Sequence, residues 1–450
     1  MRFTARWSGT TVTLAWEPEA DDTLTYGPAT LVGRSARFHL PVETVPGDVH
    51  PDVEALLALM IVGPFCRTMR MDRGVSVRFA ETLAAHHNRT VLPVDPDLAP
   101  RVPPADGHIG LAFSGGADSS AALALLPDDT VPCFMNRINA PGGTDPTRYS
   151  AKAALHMVRG LRERGRRVLV VDTDLVHVRK PVGFTTDWVN AAPLLLLADV
   201  ERLDAMAWGI IAESAYHTGH ERFGEWGIRQ HGPWGLPFEA VGLPMCQPVA
   251  GVSEVGTARI VRAWEHGDLA QSCQLGDVDA PCRNCWKCFR KLLLDAALTG
   301  EWPADAEIDV LLRSDQARRT LAHYPIKHEN VVAWMLRGYR GTHPVLRRLA
   351  IRTRAATLDL GWMERTYGPA VDTLPETRRA GVRERLADFL DPMTPADEAA
   401  MRAWDMTAFL EDPATRAAHA ELLLLLKPYG PPPRPLHRRI LSGIRRRLPG

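Results

Sequence analysis

No apolar run in these 450 residues approaches the roughly 18–20 needed to span a bilayer, which excludes an integral helical membrane protein. The leucine clusters at 194–197 and 422–426 have the length of core helices. Net charge is also lacking: 53 Lys and Arg balance 53 Asp and Glu, so the chain as a whole favours no anionic partner, though local patches can. The first residues, Met1-Arg2-Phe3-Thr4-Ala5-Arg6-Trp7, are polar and strand-like without the apolar core of a secretory leader, so a cytoplasmic setting is expected. Cysteine is scarce, with seven in all, four of them between 273 and 288. Disulfides are the competing explanation for such a cluster, and a reducing compartment argues against them. No internal repeat is present. The 45% of hydrophobic residues suffices for a sizeable core, and the length suits two or three units at about 150 residues each.

Three regions follow from pattern and punctuation. Residues 1–105 read as a β-rich or mixed N-terminal domain. Residues 2–8 and 11–16 alternate around Gly9 as a hairpin does. Residues 52–60 have helical spacing, and 75–79 read as a strand. Pro93, Pro96, Pro100, Pro103 and Pro104 mark 94–106 as a linker. Residues 106–300 alternate strand and helix, with strands at 109–113, 131–135, 168–171 and 205–212 and helices at 120–126, 148–164 and 190–200. That alternation predicts an α/β fold, a doubly wound, mostly parallel sheet with ligands at its carboxyl edge. Residues 301–450 read as a helical region with a basic tail at 437–447.

The most informative stretch is Ser114-Gly115-Gly116-Ala117-Asp118-Ser119, between a buried strand and a helix. Glycines let the backbone approach an anion, and the helix start adds several N–H groups, so the loop is a candidate pyrophosphate cradle. Ser114 and Ser119 supply hydroxyls. Asp118 would repel a bare phosphate, so its place there implies a bridging magnesium ion or a helix-capping role. The Lys-Ser/Thr ending of the ordinary nucleotide P-loop is missing. The alternative is a capped strand-to-helix turn without a ligand.

Cys273, Cys282, Cys285 and Cys288 form the second motif. Cys-x-x-Cys turns bring two thiolates to one tetrahedral ion, and two more close the shell. Four soft ligands with no vacant position indicate a structural zinc site. An iron–sulfur cluster or redox thiols are the alternatives.

The loop resembles that of the ATP pyrophosphatase (PP-loop) superfamily, which carries Ser-Gly-Gly-x-Asp-Ser. The loop and the cysteine spacing together are similar to the 7-cyano-7-deazaguanine synthase family, over about residues 109–291. The resemblance implies a sheet of the HUP/PP-loop type, ATP and Mg2+ at residues 114–119, and Zn2+ at the four cysteines. It implies cleavage of ATP to AMP and pyrophosphate, with adenylation of a carboxylate or carbonyl that ammonia or an amine then attacks. Asp118 and Ser119 would be the catalytic members. The chain departs from that family at two places. In Gly209-Ile210-Ile211-Ala212-Glu213-Ser214-Ala215-Tyr216, Ile211 replaces an Asn and the acid, Glu213, sits at a different offset. Val252-Ser253-Glu254-Val255-Gly256 lacks the family's Lys. ATP use is therefore expected, while the acceptor stays open among a small molecule, a protein and tRNA. The long flanks resemble in layout the longer relatives of bacterial anti-phage defence clusters, which leaves protein partners open.

Two other readings accompany this one. A tRNA sulfur transferase of the same superfamily needs a reactive thiol, for which Cys133 and Cys246 are candidates. A scaffold that binds ATP without turnover is the third. Further residues carry paired readings. Asp172 and Asp174 either face the ligand edge or cap a turn, and Glu213 either binds magnesium or orients ammonia, or is a surface carboxylate. His217 and His220 lack a carboxylate spacing that would complete a metal site. Arg283, Lys287, Arg290 and Lys291 either meet phosphates or form a solvated rim. The basic tail reads as an amphipathic segment for RNA or an anionic surface, or as a solubilising end.

Overall fold

The computed structural model describes residues 1–139, 150–225 and 232–430. The start of the helix expected from residue 148 and the whole basic tail lie outside the described residues. The chain divides into two units. One comprises Met1–Tyr216, Gly224–Ala280 and Trp362–Glu398, the other His217–Phe223, Pro281–Gly361 and Ala399–Gly450.

The first unit is built on ten strands: β1 (Arg2–Ser8), β2 (Thr11–Glu17), β3 (Ser35–His39), β4 (Thr68–Ser76), β5 (Thr90–Asp95), β6 (His108–Phe113), β7 (Val131–Arg137), β8 (Leu169–Thr173), β9 (Leu203–Trp208) and β10 (Met245–Cys246). Their order is β10-β9-β6-β7-β8-β3-β2-β1-β4-β5. β1 and β2 form the expected hairpin, with Ser8 opposite Thr11 and Gly9 at φ +58° in the turn. Alternation buries Val12, Leu14 and Trp16 on one face. β3 joins β2 antiparallel on one side and β8 antiparallel on the other, pairing Asp172 with His39 and Thr173 with Phe38. The remaining pairings are parallel, so the sheet is mostly parallel. Residues on both sides of position 105 thus share one sheet.

Helices α1 (Pro51–Val62), α2 (Val77–His87), α3 (Ala117–Leu125), α4 (Lys152–Glu163), α5 (Ala192–Leu196) and α6 (Glu254–Ala263) belong to this unit. The strand expected at 75–79 ends at Ser76 instead. The Ser76 hydroxyl accepts from the Phe79 N–H at 3.2 Å and donates to buried Asp52, an N-cap that turns Val77 onward into helix. The strand expected at 205–212 likewise stops at Trp208, because Ala212–Ala215 turns helical. Pro93 lies in β5, an edge strand, where a missing N–H costs no ladder bond. The proline-rich stretch after it is held in place. Arg101 is buried, bonds Asp199 at 2.7 Å, and donates to the carbonyls of Leu203 and Gly242.

Strands β6 to β10 are parallel to one another in the order 3-2-1-4-5 counted from β6, a strand order of the doubly wound kind. Ile109, Leu111 and Phe113 of β6 pack with Ala121 and Leu125 of α3, Met157 and Leu161 of α4, and Ile260 of α6. Val382 and Leu386 from the helix Glu376–Ala387 complete this core. The helical C-terminal region therefore contributes one segment to the sheet unit.

The second unit is helical. It includes α7 (Trp286–Thr299), α8 (Glu329–Leu336), α9 (Pro344–Arg352) and α10 (Pro413–Leu426). Arg352 and Glu329 form a buried ion pair, and the Arg352 guanidinium lies 4.7 Å from the Tyr324 ring centre. Burial pushes the Glu329 carboxyl up against the pull of that arginine. In α10, Thr415, Ala418, Leu422 and Leu426 face inward at helical spacing, while Leu423 and Leu424 face out. No helix among the described residues is long and apolar enough to cross a membrane.

Candidate functional site

The loop 114–119 leaves the carboxyl end of β6, the strand at which the sheet order reverses between β6 and β9. In doubly wound sheets the crevice for ligands lies at that reversal. Gly115 has φ +71°, a left-handed conformation that side chains rarely adopt, and a Cβ there would stand 3.2 Å from the Ala154 Cα. Gly116 is the N-cap of α3 and has no side chain to cover the helix start. The amides of Gly115 and Gly116 form no hydrogen bond among the described residues. They are donors at a helix N-terminus, the arrangement that suits an anion.

Ser119 plays a different part from that expected of a ligand-facing hydroxyl. It is buried, and its Oγ accepts from the Ser114 N–H at 3.2 Å, lies 3.0 Å from the Ser114 Oγ, and donates to the Gly116 carbonyl at 3.2 Å. One hydroxyl thereby fills its hydrogen-bonding capacity inside the loop and braces it. Ser114 is half-buried and Asp118 stands in the first turn of α3. Two residues that sequence inspection misses complete the setting. Ser272 Oγ accepts from the Ala117 N–H at 3.2 Å, and the Gln271 N–H donates to the Gly115 carbonyl at 3.2 Å. The only clue in the sequence is that Ser272 precedes Cys273.

The opposite wall comes from the end of β9 and the start of α6. Gly209 follows β9, and a Cβ there would fall 2.6 Å from the backbone of Asp118 and Ser119. Only glycine allows the two backbones to approach so closely. Thr257 of α6 donates to the Asp118 Oδ1 at 3.1 Å, orienting that carboxylate. Glu213 is no surface carboxylate: it is buried and accepts from the Glu254 N–H at 3.1 and 3.2 Å. That places an acceptor carboxyl at the N-terminus of α6, where the first backbone N–H groups lack helical partners.

The Sγ atoms of Cys273, Cys282, Cys285 and Cys288 lie within 4.8 Å of one another and could hold a metal ion. Cys282 and Cys288 are 3.7 Å apart, against the about 3.8 Å expected between sulfurs bound tetrahedrally at 2.3 Å. The Cys285 Sγ accepts from the Cys288 N–H at 3.3 Å as the N-cap of α7, and the Cys282 Sγ accepts from the Asn284 N–H at 3.4 Å. Such N–H donation stabilises thiolate charge. No other metal-ligating group of three or more side chains occurs among the described residues.

The other candidates are placed as follows. Asp172 accepts from Asn136 at 2.7 Å, and Asp174 accepts from the Arg37 N–H at 2.7 Å, so Asp174 ties β3 to the sheet and caps nothing. His217 pairs with Glu221 at 2.7 Å, and burial pushes His220 down. Arg283 pairs with Glu307 at 3.6 Å, whereas Arg290 is buried beside the Trp286 ring and departs from a solvated rim. Cys133 and Cys246 are buried. Burial pushes the Cys133 thiol up strongly and Cys246 up to about 12.

A model of a family of unknown function (DUF6395) matches residues 233–405. That span holds the four cysteines and α6 but not the glycine loop. No curated protein and no solved structure matches the chain.

Proposed function

We propose that the chain is an ATP-dependent adenylating enzyme of the ATP pyrophosphatase type, with a sheet of the HUP/PP-loop kind. The observation that carries this reading is a glycine loop with two unengaged amides, at the reversal point of a 3-2-1-4-5 sheet, opening a helix whose first turn holds an oriented carboxylate. The amides of Gly115 and Gly116 and the Ser114 hydroxyl receive the departing pyrophosphate. Asp118, steadied by Thr257, is the group that would hold magnesium, which neutralises charge on the phosphates. A carboxylate or carbonyl oxygen of the acceptor attacks the α phosphorus, pyrophosphate leaves, and ammonia or an amine displaces AMP. Ser119 keeps the loop in shape, so its effect on the reaction is indirect.

Zinc is the metal we assign to the four cysteines, on the strength of four sulfur donors within 4.8 Å of one another, one pair of them 3.7 Å apart. It would act structurally. The sulfur-transfer alternative is disfavoured by Cys133 and Cys246, since deeply buried thiols held away from their thiolate form are poor nucleophiles.

The test is incubation of the full chain with α-labelled ATP and fractionated small molecules, proteins and tRNA, resolving AMP from ADP. AMP with pyrophosphate is expected, and Asp118→Asn should lower its formation by about 100-fold or more while the fold is retained. ADP formation, or tight ATP binding with no turnover in any fraction, would sink the proposal.

A further inference from the structure

The formal neutrality of the chain conceals a partition. The segments 217–223, 281–361 and 399–450 hold 24 Lys and Arg against 13 Asp and Glu, while the remainder holds 29 against 40. The helical unit is therefore basic and the sheet unit acidic, by equal amounts. Of the 24 cations only Lys287, Lys291, Lys327 and Lys427 are lysines. Planar guanidinium forks suit bidentate contact with phosphate oxygens.

The excess is concentrated. Residues 330–358 contain six arginines and no acidic residue. Arg352 is neutralised in the interior by Glu329, and Arg348 is matched by Glu421 at 2.6 Å. Arg337, Arg340, Arg347 and Arg354 are exposed. Arg340 and Arg347 make no ion pair among the described residues. Arg337 lies 4.6 Å from the Trp334 ring centre and Arg354 lies 4.8 Å from that of Phe409. A guanidinium stacked on a ring loses side-chain freedom before any ligand arrives. Arg347, Ile351 and Arg354 follow at intervals of four and three, on one side of α9 and its exit, with Ile351 58% exposed.

We propose that this arginine face binds the phosphodiester backbone of a nucleic acid. The chemistry is a group of exposed guanidinium cations on one short segment, with Arg347 and Arg354 on the same side of α9 and its exit as Ile351, which is the footprint of backbone recognition. A lipid surface fits less well, because a helix that lies in a bilayer interface presents a broad apolar side and α9 exposes Ile351 alone between its arginines. Residues 431–450 add six arginines and no acid to the same unit in sequence. The inference is independent of the ATP chemistry proposed above.

Fluorescence anisotropy of the full chain with a labelled single-stranded RNA, the same sequence as DNA, and a DNA duplex, titrated from low to physiological salt, tests it. Binding is expected, weakening linearly in log–log form with salt. Replacing Arg340, Arg347 and Arg354 together by Gln should reduce affinity at least about tenfold and flatten the single-strand salt slope by about two. Equal losses on RNA and DNA identify the shared backbone as the ligand, and a loss on RNA alone identifies RNA as its source. All three side chains are exposed, so an unchanged thermal midpoint verifies the fold. The proposal is overturned if no nucleic acid binds at low salt. It is equally overturned if binding survives the triple change and is removed only by Gln at Arg438, Arg439, Arg445, Arg446 and Arg447. Retention on phosphatidylserine vesicles without nucleic-acid binding would assign the face to membranes instead.

Discussion

The glycine loop at 114–119 and the cysteine segment at 273–288 are both short sequence motifs, yet they reach their shapes by different means. The loop is closed by the chain's own hydrogen bonds, with Ser119 bracing it from inside and Gly209 and Ser272 touching it from outside. The cysteine segment gathers four thiols within 4.8 Å, a geometry that makes chemical sense around an ion. The first motif should thus fail by steric crowding and the second by loss of a ligand.

The largest effect is expected from the second. Zinc at a four-cysteine site supplies about 10–16 kcal/mol of apparent binding free energy in zinc-finger peptides. Cys285→Ser should remove bound metal, read by elemental analysis, and lower the thermal midpoint more than any other change named here. Full metal retention in that variant would break the contrast. Next is Gly209→Ala. Its Cβ would press on the backbone of Asp118 and Ser119, so a loss of about 1–3 kcal/mol is expected with weakened ATP binding but unchanged metal content. Calorimetry and elemental analysis on one sample separate the two motifs. Thr257→Val removes a single hydrogen bond to Asp118, so about 1 kcal/mol or less of stability is at stake. The turnover of ATP should fall while its binding changes little.

At neutral pH the smallest effect lies outside both motifs and serves as a control. Burial pushes His419 down to about 4, below its ordinary 6.5. The folded state favours the neutral ring, so this contribution is complete above about pH 6.5 and is lost as the pH falls toward 4. His419→Gln should remove that slope from the melting profile and leave metal and ATP binding untouched.

The local grammar of the chain was readable in advance wherever periodicity and punctuation agreed. The hairpin around Gly9, the strand–loop–helix at 109–125 and the cysteine spacing all lie where pattern places them. Boundaries failed where one side chain decided them, as Ser76 does by capping α2. Non-local relations were not legible. Nothing near Glu213 announces that it will be buried against the start of α6, and nothing near Thr257 names Asp118, 139 residues earlier in the chain. The proline count at 93–104 reads as a linker, because composition cannot show that Arg101 is clamped by carbonyls from residues 203 and 242.

That clamp, with the β3–β8 pairing, bears on how such a protein can be cut or inherited. A chain begun at residue 106 would leave the flank of β8 with bare N–H and C=O groups, an invitation to self-association. Trypsin should pass over Arg101 despite its proline-rich surroundings. The first hundred residues share one sheet with strands β6 to β8, and exchanging them for an unrelated appendage would have to rebuild a sheet edge at the same time.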